Sequence, residues 1–267
     1  AGPVAKPEVR MNVRRFPLTR EMSIFVLIYL YLPVFVLIGY SFNANRTATV
    51  WTHASLDWYV RILNNPSIRA ATWNSLVLGI SAATAATVIA LLAALATRRA
   101  FPGRDASETI LKLPLILPEI VVAVATLILF VSVGIELGLG AMILAHTVFC
   151  IPFAYLPIRA RLDGMNASYE EAAQDLYANR FRTFRRVTLP LLWPGVLAGF
   201  TLAFVTSLDD FLTSFFLSGP GTTTLPVYIF SAIRAGITPE INAISTIMLV
   251  ISILLVSLSF ALTRLRR

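Results

Sequence analysis

TWNSLVLGISAATAATVIALLAALAT, residues 72–97, runs without a charged side chain for long enough to cross a bilayer as a helix. About 30 Å of hydrocarbon takes roughly 20 helical residues. Five further stretches have comparable length and apolarity, near residues 22–42, 109–133, 140–162, 191–211 and 240–263. Runs of this length exclude a barrel, whose strands need only about 9 to 11 alternating residues. The expected fold is an all-α integral membrane protein of six transmembrane helices, with little chain left for a separate soluble domain. Residues 1–20 read as a cytoplasmic tail and 21–267 as a single membrane domain.

Composition agrees. Hydrophobic residues make up 57% of the chain and charged ones 13%, against about a quarter charged in an average soluble domain. Basic residues set the orientation, because they stay on the cytoplasmic side in short loops. They gather in the tail (Lys6, Arg10, Arg14, Arg15, Arg20), after the second span (Arg98, Arg99, Arg104, Lys112) and after the fourth (Arg159, Arg161, Arg180, Arg182, Arg185, Arg186). The last three are Arg264, Arg266 and Arg267, and the other side keeps only Arg46, Arg61, Arg69 and Arg234. Both termini are therefore expected inside. This asymmetry accounts for the net charge of +8, so nucleic acid is not an expected partner, whereas the lipid bilayer is.

Several chemistries find no residues here. The only lysines, Lys6 and Lys112, follow Ala5 and Leu111, so no GxxxxGK[ST] phosphate loop exists and ATP hydrolysis is excluded for this chain. No Ser/His/Asp or cysteine nucleophile set stands out. His53, His146 and Cys150 do not form a zinc-type ligand set. His146 and Cys150 share a face of the fourth span, a pattern of packing more often than of ligation. The chain reads as a non-enzyme.

Between spans four and five lies a polar, arginine-rich island, SYEEAAQDLYANRFRTFRRVTLPLLWPGV, residues 168–196. Asn166 or Ser168 can cap a short helix there, which puts Glu170 and Glu171 in its first turn at the positive end of the dipole. Ala172, Ala173 and Leu176 give a low apolar face suited to a partner's groove. A basic segment with Phe181 and Phe184 follows, and Pro190 and Pro194 are expected to break the chain before span five. An interfacial helix laying arginines on anionic headgroups is the blander reading.

Glu171, Ala172 and Ala173, three residues, Tyr177, nine residues, Val187, a spacer, then Leu189 and Pro190: this spacing resembles the EAA loop of membrane subunits of bacterial ATP-binding-cassette importers. With LPLILPEIVVAVATL at 113–127, HTVFCIPF at 146–153 and SLDDFLTSFFLSGPGTTTLPVYIFSAIRAGITPEINA at 207–243, the chain from about 25 to 262 is similar to the PotC-type permeases of spermidine/putrescine importers. The resemblance implies a type I ABC importer permease fold in a bacterial inner membrane. It further implies a second permease subunit, two copies of an ATPase that carry the ATP and Mg, and an extracytoplasmic solute-binding protein, with no cofactor in this chain. The coupling loop would be 163–190, with Glu170, Glu171, Ala172, Ala173, Asp175, Tyr177, Leu189 and Pro190 as its contact residues. The family usually has glycine at the position of Tyr177. Without it, the turn is expected to open or to pass to Ala178 and Asn179, asparagine being tolerant of left-handed angles.

Ionisable groups inside spans are costly and tend to face a cavity or a partner. Glu119 follows Pro114 and Pro118, which disturb helix regularity. Asp209 and Asp210 end the fifth span beside Phe211, Phe215 and Phe216, a set suited to an alkylammonium by ion pairing and cation-π contact. The competing readings are that the aspartates face outside water and that Glu119 is a paired structural acid. Resemblance to the polyamine group assigns Glu119, Asp209, Asp210 and Phe211 to a substrate pathway. Another organic solute (an opine, an amino-acid derivative or a thiamine-like cation) stays open. A secondary carrier would need more deep acids and two similar halves.

Outside the spans, Trp51, Trp58, Tyr59 and Trp73 suit a membrane interface. Short helices are expected at 56–63 and 227–235, and a glycine hairpin at 134–140.

Overall fold

The computed structural model describes residues 18–45, 50–98, 100–236 and 238–264. The expected tail up to residue 17, and Arg46, Arg99, Arg266 and Arg267, lie outside them. The described residues fold into helices: α1 (Thr19–Ser41), α2 (Asp57–Asn64), α3 (Pro66–Ala96), α4 (Arg104–Lys112), α5 (Glu119–Ser132) and α6 (Leu139–Asp163). There follow α7 (Ser168–Asp175), α8 (Arg180–Thr183), α9 (Leu189–Asp209), α10 (Leu212–Leu217), α11 (Leu225–Ala235) and α12 (Pro239–Arg264). Five continuous helical runs are long and apolar enough to cross a membrane. The sixth crossing is a bent pair, Arg104–Leu115 and Glu119–Ser132, which turns through 102°.

That bend corrects the expectation of a single helix over 109–133. Pro118 is extended, at φ −58° and ψ 129°, and a proline disfavours a helical backbone at the preceding residue and removes an amide from the ladder. Conversely, Pro190 and Pro194 do not break the chain. A single π turn at Phe184–Thr188 runs straight into α9, and widening the helix there relieves the clash of the Pro190 ring with the carbonyl four residues back. Trp58 is no interface anchor. It is buried, and its indole Nε1 donates to the Asn43 carbonyl at 2.8 Å.

The centre of the molecule is α3, α6 and α9. Small residues line the contact, with Ala83, Ala86, Ala90 and Ala94 of α3 and Ala154 of α6 fully buried. Between helices immersed in lipid the apolar effect is weak, so association relies on close backbone packing, which small side chains allow. α3 starts firmly: Asn65 Oδ1 accepts from the amides of Ser67 and Ile68, and Pro66 opens the helix. α1 packs along α12 and is exposed along nearly its whole length within the chain.

At Gly199, a Cβ would stand 2.6 Å from the backbone oxygen of Ala154, whereas at Gly39 it would meet nothing within 4 Å. Gly199→Ala is therefore expected to destabilise, by about 1 to 3 kcal/mol as overpacking does. Gly39→Ala should be neutral or mildly stabilising through helix propensity. Thermal unfolding of the purified complexes in detergent checks the contrast, and equal melting temperatures would count against this packing.

Candidate functional site

Two groups of residues stand out, one at each end of α9, whose 21 residues span about 30 Å at 1.5 Å rise. At the start of α9 lies the polar island. Neither Asn166 nor Ser168 is the cap residue of α7, which is Ala167; Asn166 Oδ1 instead accepts from the Ser168 amide at 3.0 Å just ahead of the helix. Glu170 and Glu171 occupy the first turn but face different ways. Both Glu170 oxygens lie 2.7 Å from Arg98 Nη1, and Thr188 Oγ1 donates to Oε1 at 2.7 Å. This carboxylate thus fastens α7 to the end of α3 and to the π turn. Glu171, Ala172, Asp175, Leu176, Tyr177, Phe181 and Pro190 are exposed, while Ala173 and Leu189 are half-buried. Leu176 and Tyr177 are 82% and 95% exposed, and Phe181 is exposed as well.

Tyr177 overturns the expectation about its turn. It adopts φ +61° itself, while Asn179 is extended and caps α8 by accepting from the Arg182 amide at 2.8 Å. The Ala178 amide returns to Ala173 O at 3.1 Å and the Tyr177 amide to Gln174 O at 2.9 Å. This pair of bonds is the Schellman ending, whose left-handed position usually holds glycine. The turn is kept closed with a tyrosine at a cost of about 1 to 2 kcal/mol. Tyr177→Gly should accordingly leave the loop's fold intact and raise or preserve its resistance to limited proteolysis. Faster cleavage within 168–183 would contradict this.

At the far end of α9 the acids separate. Asp209 is exposed, but Asp210 is only 5% exposed, so the reading of both aspartates as water-facing fails for the second. Asp210 interrupts the helix, and its Oδ1 accepts from the Thr213 amide at 3.2 Å to start α10. Its Oδ2 lies 2.9 Å from His146 Nε2, an ion pair whenever the imidazole is protonated. His146 is fully buried. Its Nδ1 is 2.8 Å from Ser207 Oγ and its Nε2 3.3 Å from Ser214 Oγ. Glu119, at the bend of the broken span, lies near enough for its carboxyl to interact with that of Asp210. Three separate elements thereby bring two carboxyls and an imidazole together.

Phe211 belongs to an adjoining ring cluster. Its centroid is 4.5 Å from that of Phe230 and 5.3 Å from that of Phe215. Arg234 Cζ lies 4.6 Å over the Phe230 ring, so an organic cation already rests on this aromatic surface. Sequence reasoning missed His146, Ser207, Ser214, Phe230 and Arg98 as partners. For His146 a signal existed: a buried aspartate demands a counter-charge or donors, and His146 is the one basic-capable side chain in the apolar body of a span.

The fold and these two sites define a membrane permease. Residues 86–266 match the model of the binding-protein-dependent transport system inner membrane component, and this chain belongs to that family. It is 41% identical to the spermidine/putrescine transport system permease protein PotC of Haemophilus influenzae, over 94% of this chain and 98% of that one. It is 38% identical to PotC of Escherichia coli, over 88% and 90% of the two chains. The putrescine transport system permease protein PotI of Escherichia coli is 38% identical, over 83% and 82%. Among solved structures, a bacterial ABC transporter that imports alginate superimposes with a TM-score of 0.68 at 18% identity, covering 91% of this chain and 92% of that one. The MetNI methionine transporter gives 0.61 at 20%, covering 74% and 94%. These two likenesses establish the ABC permease fold.

Proposed function

We propose that this chain is the permease half of an ATP-driven importer for a small aliphatic polycation, putrescine or spermidine. The observation that carries the reading is the pairing of Asp210 and Glu119 beside the ring cluster of Phe211, Phe215 and Phe230. Two carboxyls next to aromatic faces suit the charged ends and methylene body of a polyamine, and similarity to permeases of spermidine and putrescine systems supports the same solute. ATP and Mg belong to two copies of a partner ATPase, and solute arrives from an extracytoplasmic binding protein. A second permease completes the path. Both termini and α7 lie on the cytoplasmic side, as the arginine distribution requires.

The ATPase docks on the patch formed by Glu171, Ala172, Ala173, Asp175, Leu176 and Tyr177, with Leu189 and Pro190 behind it. ATP-driven closure pulls α7, α9 moves with it, and the helices from α4 onward rock against the second permease to open the far end. Such pumping requires the two states to differ in their affinity for the cargo. Reconstitution with the co-purifying subunits and the cognate binding protein tests the reading. ATPase activity should rise severalfold with putrescine or spermidine and not with unrelated solutes. Stimulation only by an opine, an amino-acid derivative or a thiamine-like cation would keep the importer and discard the polyamine.

A further inference from the structure

His146 has no part in the function so far, yet it is fully enclosed beside the acids. We propose that His146 is a positioning residue for transport, an internal counter-ion that occupies Asp210 until the ammonium group of an aliphatic amine takes its place. The inference rests on the pathway reading above and adds a competition that the reading does not require.

Geometry carries it. Ser207 Oγ, 2.8 Å from Nδ1, fixes the ring so that Nε2 meets Asp210 Oδ2 at 2.9 Å, with side-chain exposures of 0% and 1%. The surrounding elements hold few other charges. α3 has no titratable residue after Arg69, α10 has none, and α12 has none between 241 and 263. The groups facing the pair are Glu119 from α5 and Cys150 from α6 itself, while Asp209, the neighbour on α9, is exposed. With the imidazole neutral, the negative charge carried by the Asp210 and Glu119 carboxyls is uncompensated and free to meet an ammonium group. With the imidazole protonated, its charge offsets that of Asp210, so an incoming ammonium group competes with it for the carboxylate in a site where charge contacts are strong. Because His146 sits on α6 and Asp210 beyond α9, a shift between these helices also alters the contact.

The test uses the complete importer in proteoliposomes, with the binding protein saturated by spermidine. Uptake per ATP hydrolysed is measured across about pH 5.5 to 8, the range in which imidazole titrates. Dividing by ATP hydrolysis removes the pH dependence of the ATP sites. Wild-type uptake per ATP should fall by roughly threefold or more toward the acid end, and His146→Gln, which cannot become a cation, should make that fall clearly smaller, only the share due to the Glu119 carboxyl remaining. A residue with only a packing role would lower yield or scale the curve without changing its shape. His146→Asn gives the same reading should the glutamine variant fail to assemble. A flat wild-type curve, or one that the variants reproduce, overturns the proposal. Absence of spermidine uptake at every pH in the wild type overturns the pathway reading and the proposal together, which separates the two failures.

Discussion

Glu170→Gln is expected to lower uptake per ATP hydrolysed by roughly tenfold, within the range of a coupling energy of about 1 to 3 kcal/mol. Glu170 does not belong to the exposed docking patch. It accepts Arg98 through both oxygens and Thr188 through one, so it joins the short helix α7 to α3 and to the start of α9. A force applied to α7 by a partner can move the membrane helices as a unit only if such joints hold. The amide keeps one acceptor for Thr188 but loses the charge that Arg98 meets. Because the two side chains are 30% and 18% exposed, water screens part of the attraction, and the stability loss should stay near about 1 kcal/mol. Assembly should therefore survive while transmission weakens. Exchanging the charges, Arg98→Glu with Glu170→Arg, should recover part of the loss. Unchanged uptake per ATP in the single variant would show that α7 transmits through other contacts. By contrast, Glu171→Ala and Ala173→Asp act at the partner surface and should reduce ATPase-driven uptake without help from any change at Arg98.

Hydropathy found the five long apolar helices and the region of the bent pair, since an apolar run of this length has few other ways to satisfy its backbone in lipid. The form of the third crossing was not legible. A hydropathy window over 109–133 averages the side chains and is blind to the extended backbone of Pro118, which turns the pair through 102°. Tyr177 shows the converse limit. Resemblance to the family's loop marked the position as special, and propensity suggested that the turn opens or passes to Ala178 and Asn179, whereas the two backbone hydrogen bonds that end α7 hold it at Tyr177 despite the side chain. At the acidic site the candidates Glu119, Asp210 and Phe211 are legible as costly or aromatic residues in apolar surroundings. Their assembly with His146, Ser207 and Phe230 depends on how α5, α6, α9 and α11 pack, and no local spacing encodes that.

Asp209 and Asp210, adjacent in sequence, are expected to differ sharply when replaced one at a time. Asp210→Asn should reduce polyamine uptake by roughly tenfold or more. At about 4 Å a charge pair is worth about 4 kcal/mol at an effective dielectric of 20, and Asp210 is the acid held away from water. The substitution is conservative for the fold, because the amide oxygen can still accept from the Thr213 amide that begins α10. Asp209 is exposed at the helix end, where water and salt weaken its pull. Asp209→Asn should therefore cost only severalfold, with the deficit shrinking as ionic strength rises. Uptake by each variant, measured with the binding protein saturated and compared at low and high salt, separates the roles. Equal losses would place both carboxylates in the same aqueous vestibule. Normal uptake in Asp210→Asn would instead make the Asp210–His146 pair a structural tie between α6 and α9, and the cation would have to pass along the second permease.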